Sequence, residues 1–159
     1  MMLSEQFHRI GTNGRKYYGL WGAGILFTDG DRILLLRRNV PSDCPQKWGL
    51  PGGRAEKGES AIDCARREAK EECGVLTGTR FANFEEIDGK HRFYVFLYAV
   101  DSPFECKLTK EHDKWEWVPL GDLEKYDLHP RLEKQIPYYR KAISRRFPPK
   151  KFAEWLACR

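Results

Sequence analysis

The tightest constraint on this chain is one short, heavily charged helix pattern with almost no apolar surface. Ser60 to Cys73 reads SAIDCARREAKEEC. Ser60 is an N-cap residue type, and Asp63 three positions later forms a weaker version of the capping box. Gly74 fits the residue that ends a helix in the left-handed region. Only Ile62, Ala65, Ala69 and Cys73 form an apolar stripe at helical spacing. Such a helix cannot be a core element. It is predicted to lie on a surface, with one narrow edge on a sheet and its charged side chains turned elsewhere.

The flanking sequence supplies that sheet. Residues 22–38 hold two apolar runs around Asp29-Gly30-Asp31, a strong hairpin signal. Residues 39–58 contain Pro41, Pro45, Pro51 and four glycines and read as loop, with a short extended piece near Trp48 and Leu50. Phe81–Ile87 and His91–Val100 flank Asp88-Gly89-Lys90 as a second hairpin. Its second arm, HRFYVFLYAV, has the aromatic and β-branched content of a central strand. Residues 101–113 read as a polar loop and Lys114–Val118 as a last strand. Leu120–Lys125 and Pro130–Phe147 read as helical. Pro137 is expected to kink the second of these or split it, and Phe152, Trp155 and Leu156 to form a short docking helix. Strand pairs with separate helices predict an α+β domain with a mixed sheet, not a doubly wound fold.

The 159 residues fit one domain spanning 1–159. Charge is uneven along it. Residues 131–159 hold 9 basic and 2 acidic residues, a net of +7 within a total of +5, so the remainder carries −2. The basic character therefore belongs to a C-terminal helical tail, a solvated face or a contact for RNA or another anionic surface. No apolar run reaches the roughly 18 residues a membrane span needs, and the N-terminus lacks the apolar region of a secretory signal. Five cysteines, an odd number with no CxxC pair, argue for free thiols. Cytoplasmic location and no membrane partner are the expectations.

The helix is also where the chemistry lies. Glu68 and Glu72 are four apart, Glu68 and Glu71 three apart, so all three carboxylates share nearly one face. Like charges so placed repel, and a divalent cation resolves the conflict. Oxygen-only ligands suit Mg²⁺ or Mn²⁺ better than zinc. The competing reading is a solvated acidic face neutralised by Arg67 and Lys70.

The wider spacing favours the cation. Gly53, Glu59, Arg67-Glu68, Glu71-Glu72 and Gly74 stand at the intervals of the Nudix box, and the segment 53–75 resembles that of the MutT-like Nudix hydrolases. At roughly one residue in fifteen per position, agreement of seven identities by chance is on the order of 10⁻⁸. Ala69 departs from the pattern, which prefers a larger aliphatic residue there. The resemblance implies a mixed-sheet α/β/α sandwich. It also implies Mg²⁺-dependent hydrolysis of the pyrophosphate bond in a nucleoside diphosphate linked to another moiety, including modified nucleoside triphosphates. Carried over by position, Glu68, Glu71 and Glu72 look like metal ligands, with a backbone carbonyl at Gly52 or Gly53. Glu59 and Arg67 look like a pair bracing the loop against the helix.

Outside the box, Glu111 is the favoured loop carboxylate for a ligand or base, and His112 beside it reads as a surface histidine without a role. Arg37, Arg38 and Trp48 are the candidate substrate contacts, by charge and by stacking. Two other readings stand beside the small-nucleotide hydrolase: an RNA 5′-end pyrophosphohydrolase or decapping enzyme that uses the basic tail, and a nucleotide-binding module without catalysis. The oligomeric state is open.

Overall fold

The Asp29-Gly30-Asp31 turn forms as expected. The Asp29 carboxylate accepts the backbone N–H of Asp31 and Arg32 at 3.0 and 2.8 Å, and Gly30 takes φ +101°, a region glycine enters without steric cost. The turn joins the first two long strands of a computed structural model that describes residues 8–10, 21–39, 44–88, 91–149 and 157–158.

In chain order the elements are β1 (His8–Ile10), β2 (Trp21–Thr28), β3 (Arg32–Arg38), β4 (Trp48–Gly49), β5 (Gly52–Arg54), α1 (Ala61–Cys73), β6 (Thr79–Asp88), β7 (His91–Ala99), β8 (His112–Pro119), a 3₁₀ turn at Leu120–Lys125, and α2 (Pro130–Arg146). The eight strands form one mixed sheet. β7 lies between β6, antiparallel to it, and β2, parallel to it, so the aromatic arm is central as its composition predicts.

The arrangement of β2 and β3 opens the site. They pair only at the turn end, Thr28 opposite Ile33, and then part. β5 takes the freed edge of β2, with Gly22 opposite Arg54 and Gly24 opposite Gly52. β4 takes the freed edge of β3. β8 covers the other edge of β3. The loop between the first hairpin and α1 is thereby threaded into the sheet itself.

Alternation along the strands sends side chains to two cores. Ala23, Ile25, Phe27, Leu34 and Leu36 meet the narrow stripe of α1 at Cys64, Ala65, Ala69 and Cys73. Leu26, Ile33, Leu35 and Leu97 meet Leu132, Ile136, Tyr139 and Ile143 of α2. One helix on each face makes an α+β, α/β/α sandwich, the expected class.

α1 begins and ends where its caps predict. Ser60 Oγ accepts the Asp63 N–H, and Gly74 adopts φ 73° with its N–H bonded to Lys70 O. Of the kink or split expected at Pro137, the split does not occur, since α2 is one continuous helix from Pro130 to Arg146. Burial of Ile136 and Tyr139 on either side of the proline holds the helix together against the lost hydrogen bond. Within α2 the basic side chains Lys134, Lys141, Arg145 and Arg146 do form a solvated face. The stretch from Pro130 to Arg146 is anchored by its apolar side, while the expected docking helix at Phe152, Trp155 and Leu156 lies outside the described residues. No helix among the described residues is long and apolar enough to cross a membrane.

Candidate functional site

The three box carboxylates leave α1 in three different environments. Glu72 is buried at 3% exposure, and its Oε2 accepts the backbone N–H of Gly52 at 2.9 Å. Glu68 is mostly covered and lies against Gly53, where a Cβ on the glycine would meet the carboxylate at 2.6–2.7 Å. Glu71 is exposed at the outer edge. A side chain at Gly53 would therefore displace the Glu68 carboxylate. Its carbonyl accepts a weak bond from the Cys64 thiol at 3.6 Å.

Burial pushes the Glu72 carboxyl up to about 9, with the neighbouring Glu68 and Glu111 adding to the shift and the Gly52 N–H opposing it. Burial also raises Glu68, against the pull of Arg67. Groups buried together and each penalised for ionising are the donor set that a hard divalent cation suits. These residues fit such an ion.

Arg67 organises the set. It meets Glu59 with two parallel bonds, Nε to Oε2 at 2.7 Å and Nη2 to Oε1 at 3.0 Å. Nη1 reaches Glu68 at 2.8 Å and Glu71 at 3.2 Å, and Nη2 also donates to the Arg54 carbonyl at 3.0 Å. Glu59 accepts the Glu56 N–H at 3.0 Å as well, so the loop before the helix folds back onto it. The Arg67 guanidinium pulls the Glu59 carboxyl down to about 2. Eight residues separate the partners, and the fork geometry is specific to arginine.

An expected consequence is coupling. Glu59→Gln and Arg67→Lys should each lower turnover, and the double variant should lose less than the sum of the two activation penalties, as for residues in one network. Strict additivity in a double-mutant cycle would mean that the two side chains act separately.

The structure corrects the reading of His112. It is not a surface residue. It is 8% exposed, and one ring nitrogen lies with carboxylate oxygens of Glu72 and Glu111 in a group whose atoms are all within 4.8 Å of one another. Its Nδ1 is buried without a hydrogen-bond partner. Burial, reinforced by Arg38, brings its pKa down to about 4, so the ring is neutral. The signal in the sequence was strand alternation, because β8 begins at His112 and exposes Asp113 on the opposite side. Glu111 itself is exposed and stands at the mouth of the group.

The substrate-contact candidates divide. Arg37 is engaged by Asp113 through two bonds of 2.8 and 2.7 Å. It ties β3 to β8 and does not line the two cavities beside Gly53. Trp48 does not line them either. It packs edge-on against Tyr126 at 5.4 Å, and its backbone bonds Asp127 and His129, so it is a structural wall. Arg38 lines both cavities.

The smaller cavity, about 80 Å³, lies between Gly52-Gly53 and α2, against Phe93, Leu132, Tyr139 and Glu86. Tyr139 donates to Glu86 at 2.8 Å in the buried interior. Phe93 lies over Gly22, Gly24 and Gly52, where added Cβ atoms would stand 3.1–3.3 Å from its ring, and the Arg131 guanidinium sits 4.7 Å from the ring centroid. In sequence Phe93 fits a strand core and Tyr139 a helix, and Arg131 is one charge in a basic tail.

Comparison with known proteins agrees with this geometry. The family described as NUDIX domain matches residues 20–139. Subunit 2 of the mRNA decapping complex of Schizosaccharomyces pombe is 40% identical over 82 residues, which cover 48% of this chain and 11% of that protein. The asymmetrical bis(5′-nucleosyl)-tetraphosphatase of Caenorhabditis elegans is 30% identical over 98 residues, 57% of this chain and 69% of that one. The chain thus spans about a tenth of the first relative's length and over two thirds of the second's. A Nudix hydrolase from M. smegmatis shares the fold, with a TM-score of 0.67 at 20% identity over 83% of this chain and 88% of that chain.

Proposed function

The chain belongs to the Nudix hydrolase family, and from that premise we propose that it hydrolyses the pyrophosphate bond of a nucleoside diphosphate linked to a further group, with a divalent cation, Mg²⁺ or Mn²⁺, held by Glu68, Glu71 and Glu72. The observation that carries this reading is the convergence of Glu68, Glu72 and Glu111 beside the Gly52-Gly53 backbone, with Glu72 buried and its ionisation opposed.

When bound, the cation supplies neutralising charge for the phosphoryl oxygens and lowers the pKa of a coordinated water. The chain's own residues supply the rest. The Glu59–Arg67 fork holds the loop at Gly53–Glu59 against α1, so that Glu68 and Glu71 keep their positions. Gly53 lets the Glu68 carboxylate lie directly against the backbone of β5. In this reading Glu111, grouped with Glu72 and His112, accepts the proton of the attacking water while the water oxygen bonds to phosphorus and the bridging P–O bond breaks, its electron pair leaving with the departing oxygen. Its exposure lets that proton pass on to solvent. A reducing, cytoplasmic compartment suits the five free thiols.

The second reading, hydrolysis at an RNA 5′ end, draws on the decapping relative. The test is a panel of nucleoside triphosphates, dinucleoside polyphosphates, ADP-ribose and a 5′-triphosphorylated RNA, incubated with Mg²⁺. Turnover of free nucleotides supports the first reading, and turnover of the RNA alone supports the second. Binding without turnover anywhere on the panel leaves a nucleotide-binding module.

A further inference from the structure

The larger cavity beside Gly53 has a composition that the box chemistry does not explain. It measures about 360 Å³ and is walled by Arg38, Arg54, Arg92 and Arg131, with Trp21 and Phe93 between them. No carboxylate is among its lining residues. The four arginines come from β3, β5, β7 and α2.

These arginines are not spent equally on the protein. Arg92 pairs with Glu85 at 3.2 Å and donates to the Tyr94 hydroxyl. Arg131 stands over Phe93 and 3.6 Å from Glu86. The side chains of Arg38 and Arg54, by contrast, make no ion pair or hydrogen bond among the described residues. Arg38 lies near enough to the two flanking histidines, His112 and His129, to disfavour protonation of both, and Arg131 does the same at His129. Arg38 therefore spans the distance between the carboxylate group and this cleft. With Glu85 and Glu86 facing Arg92 and Arg131, the charge of Arg38 and Arg54 costs the free protein repulsion, and an anionic ligand relieves it.

We propose that the cleft is a subsite for the phosphate chain of a nucleoside polyphosphate, so that the substrate carries three or more phosphates and not a neutral sugar beyond the scissile bond. This rests on the hydrolase reading for the scissile bond itself. The phosphates beyond it run along Arg38 and Arg54, with Arg131 held in place by the Phe93 ring. Guanidinium groups match phosphate oxygens through paired N–H bonds. A neutral hexose or ribose in the same place would leave Arg38 and Arg54 facing no counter-charge.

The test is calorimetric titration of the full chain in EDTA, where the box carboxylates repel phosphate and turnover is suppressed. The ligands are ADP, ATP, adenosine tetraphosphate, diadenosine tetraphosphate and ADP-ribose. Affinity should rise at least tenfold from ADP to adenosine tetraphosphate, the size of one charge-assisted hydrogen bond. Arg38→Gln combined with Arg54→Gln should flatten that gradient. Arg54 is exposed, so Arg54→Gln alone keeps the test available if the double variant does not fold, and should halve the gradient on a logarithmic scale. Tight binding by both tetraphosphates places a dinucleoside chain in the cleft, and by adenosine tetraphosphate alone a mononucleotide. ADP-ribose binding as tightly as adenosine tetraphosphate, or a gradient unchanged in the variants, overturns the proposal. Turnover of the same ligands with Mg²⁺ separates the two claims. Graded binding without turnover would defeat the hydrolase reading alone, whereas turnover with flat binding would defeat the subsite alone.

Discussion

Glu72→Gln should lower turnover about 10²–10³-fold, the cost of removing one preorganised electrostatic group from an active site, while making the cation-free protein more resistant to heat. Glutamine keeps the shape of the side chain and can still accept the Gly52 N–H. What it removes is a carboxyl that the fold disfavours ionising. That carboxyl has its usual pKa near 4.5 in the unfolded chain and about 9 in the folded one. A raised pKa contributes stability fully present below pH 4.5 and lost as pH rises toward 9. Glutamine has no such loss. In chelator, the melting-temperature advantage of Glu72→Gln over the wild type should therefore widen between pH 4.5 and 9. Near-normal turnover with a constant difference across that range would remove Glu72 from the functional group.

Removal of divalent cations is the other large effect. Turnover should fall to background in EDTA and return with Mg²⁺ or Mn²⁺. The argument has a second readout in thermal stability, because a ligand that binds only the folded state stabilises it by mass action. At about 100 times the dissociation constant the gain is roughly 2.7 kcal/mol, on the order of 5–10 °C for a domain of this size. Mg²⁺ should raise the melting temperature of the wild type by that amount and that of Glu72→Gln by much less. Full activity in EDTA, with no thermal shift on adding the cation, would falsify the metal reading.

What could be read from sequence was what local rules govern. The ends of α1 at Ser60 and Gly74 follow from caps a few residues long. The first hairpin follows from Asp29-Gly30, and the shared face of Glu68, Glu71 and Glu72 follows from helical spacing. The Glu59–Arg67 pair was within reach because the chain turns back only once between them. The rest depends on partners distant in sequence. Nothing near Gly52 reveals that β5 pairs with β2 while β4 pairs with β3, since both strands are two or three residues long. His112 was misplaced because its burial depends on α1, forty residues earlier. Arg131 was counted as one charge of a basic tail, and counting charge carries no direction. Its position over Phe93 depends on how α2 packs across the sheet. At Pro137 local rules left a kink and a split open, and burial of Ile136 and Tyr139 decides against the split.

The two helices sit on opposite faces of the sheet, α1 in one core and α2 in the other. The box carboxylates Glu68, Glu71 and Glu72 come from one layer, while Arg131, Leu132 and Tyr139, which line the smaller cavity beside Gly53, come from the other. The layers are anchored in separate cores. Ligand preference and bond cleavage are therefore mechanically separable in this molecule. Variation at the half-buried Arg131 can retune what enters without disturbing the Glu59–Arg67 fork, whereas Leu132 and Tyr139 also belong to the core. The converse does not hold on the strand side. There, Gly22, Gly24 and Gly52 leave no room for variation beneath Phe93, so diversification of this scaffold has a permitted wall and a forbidden floor.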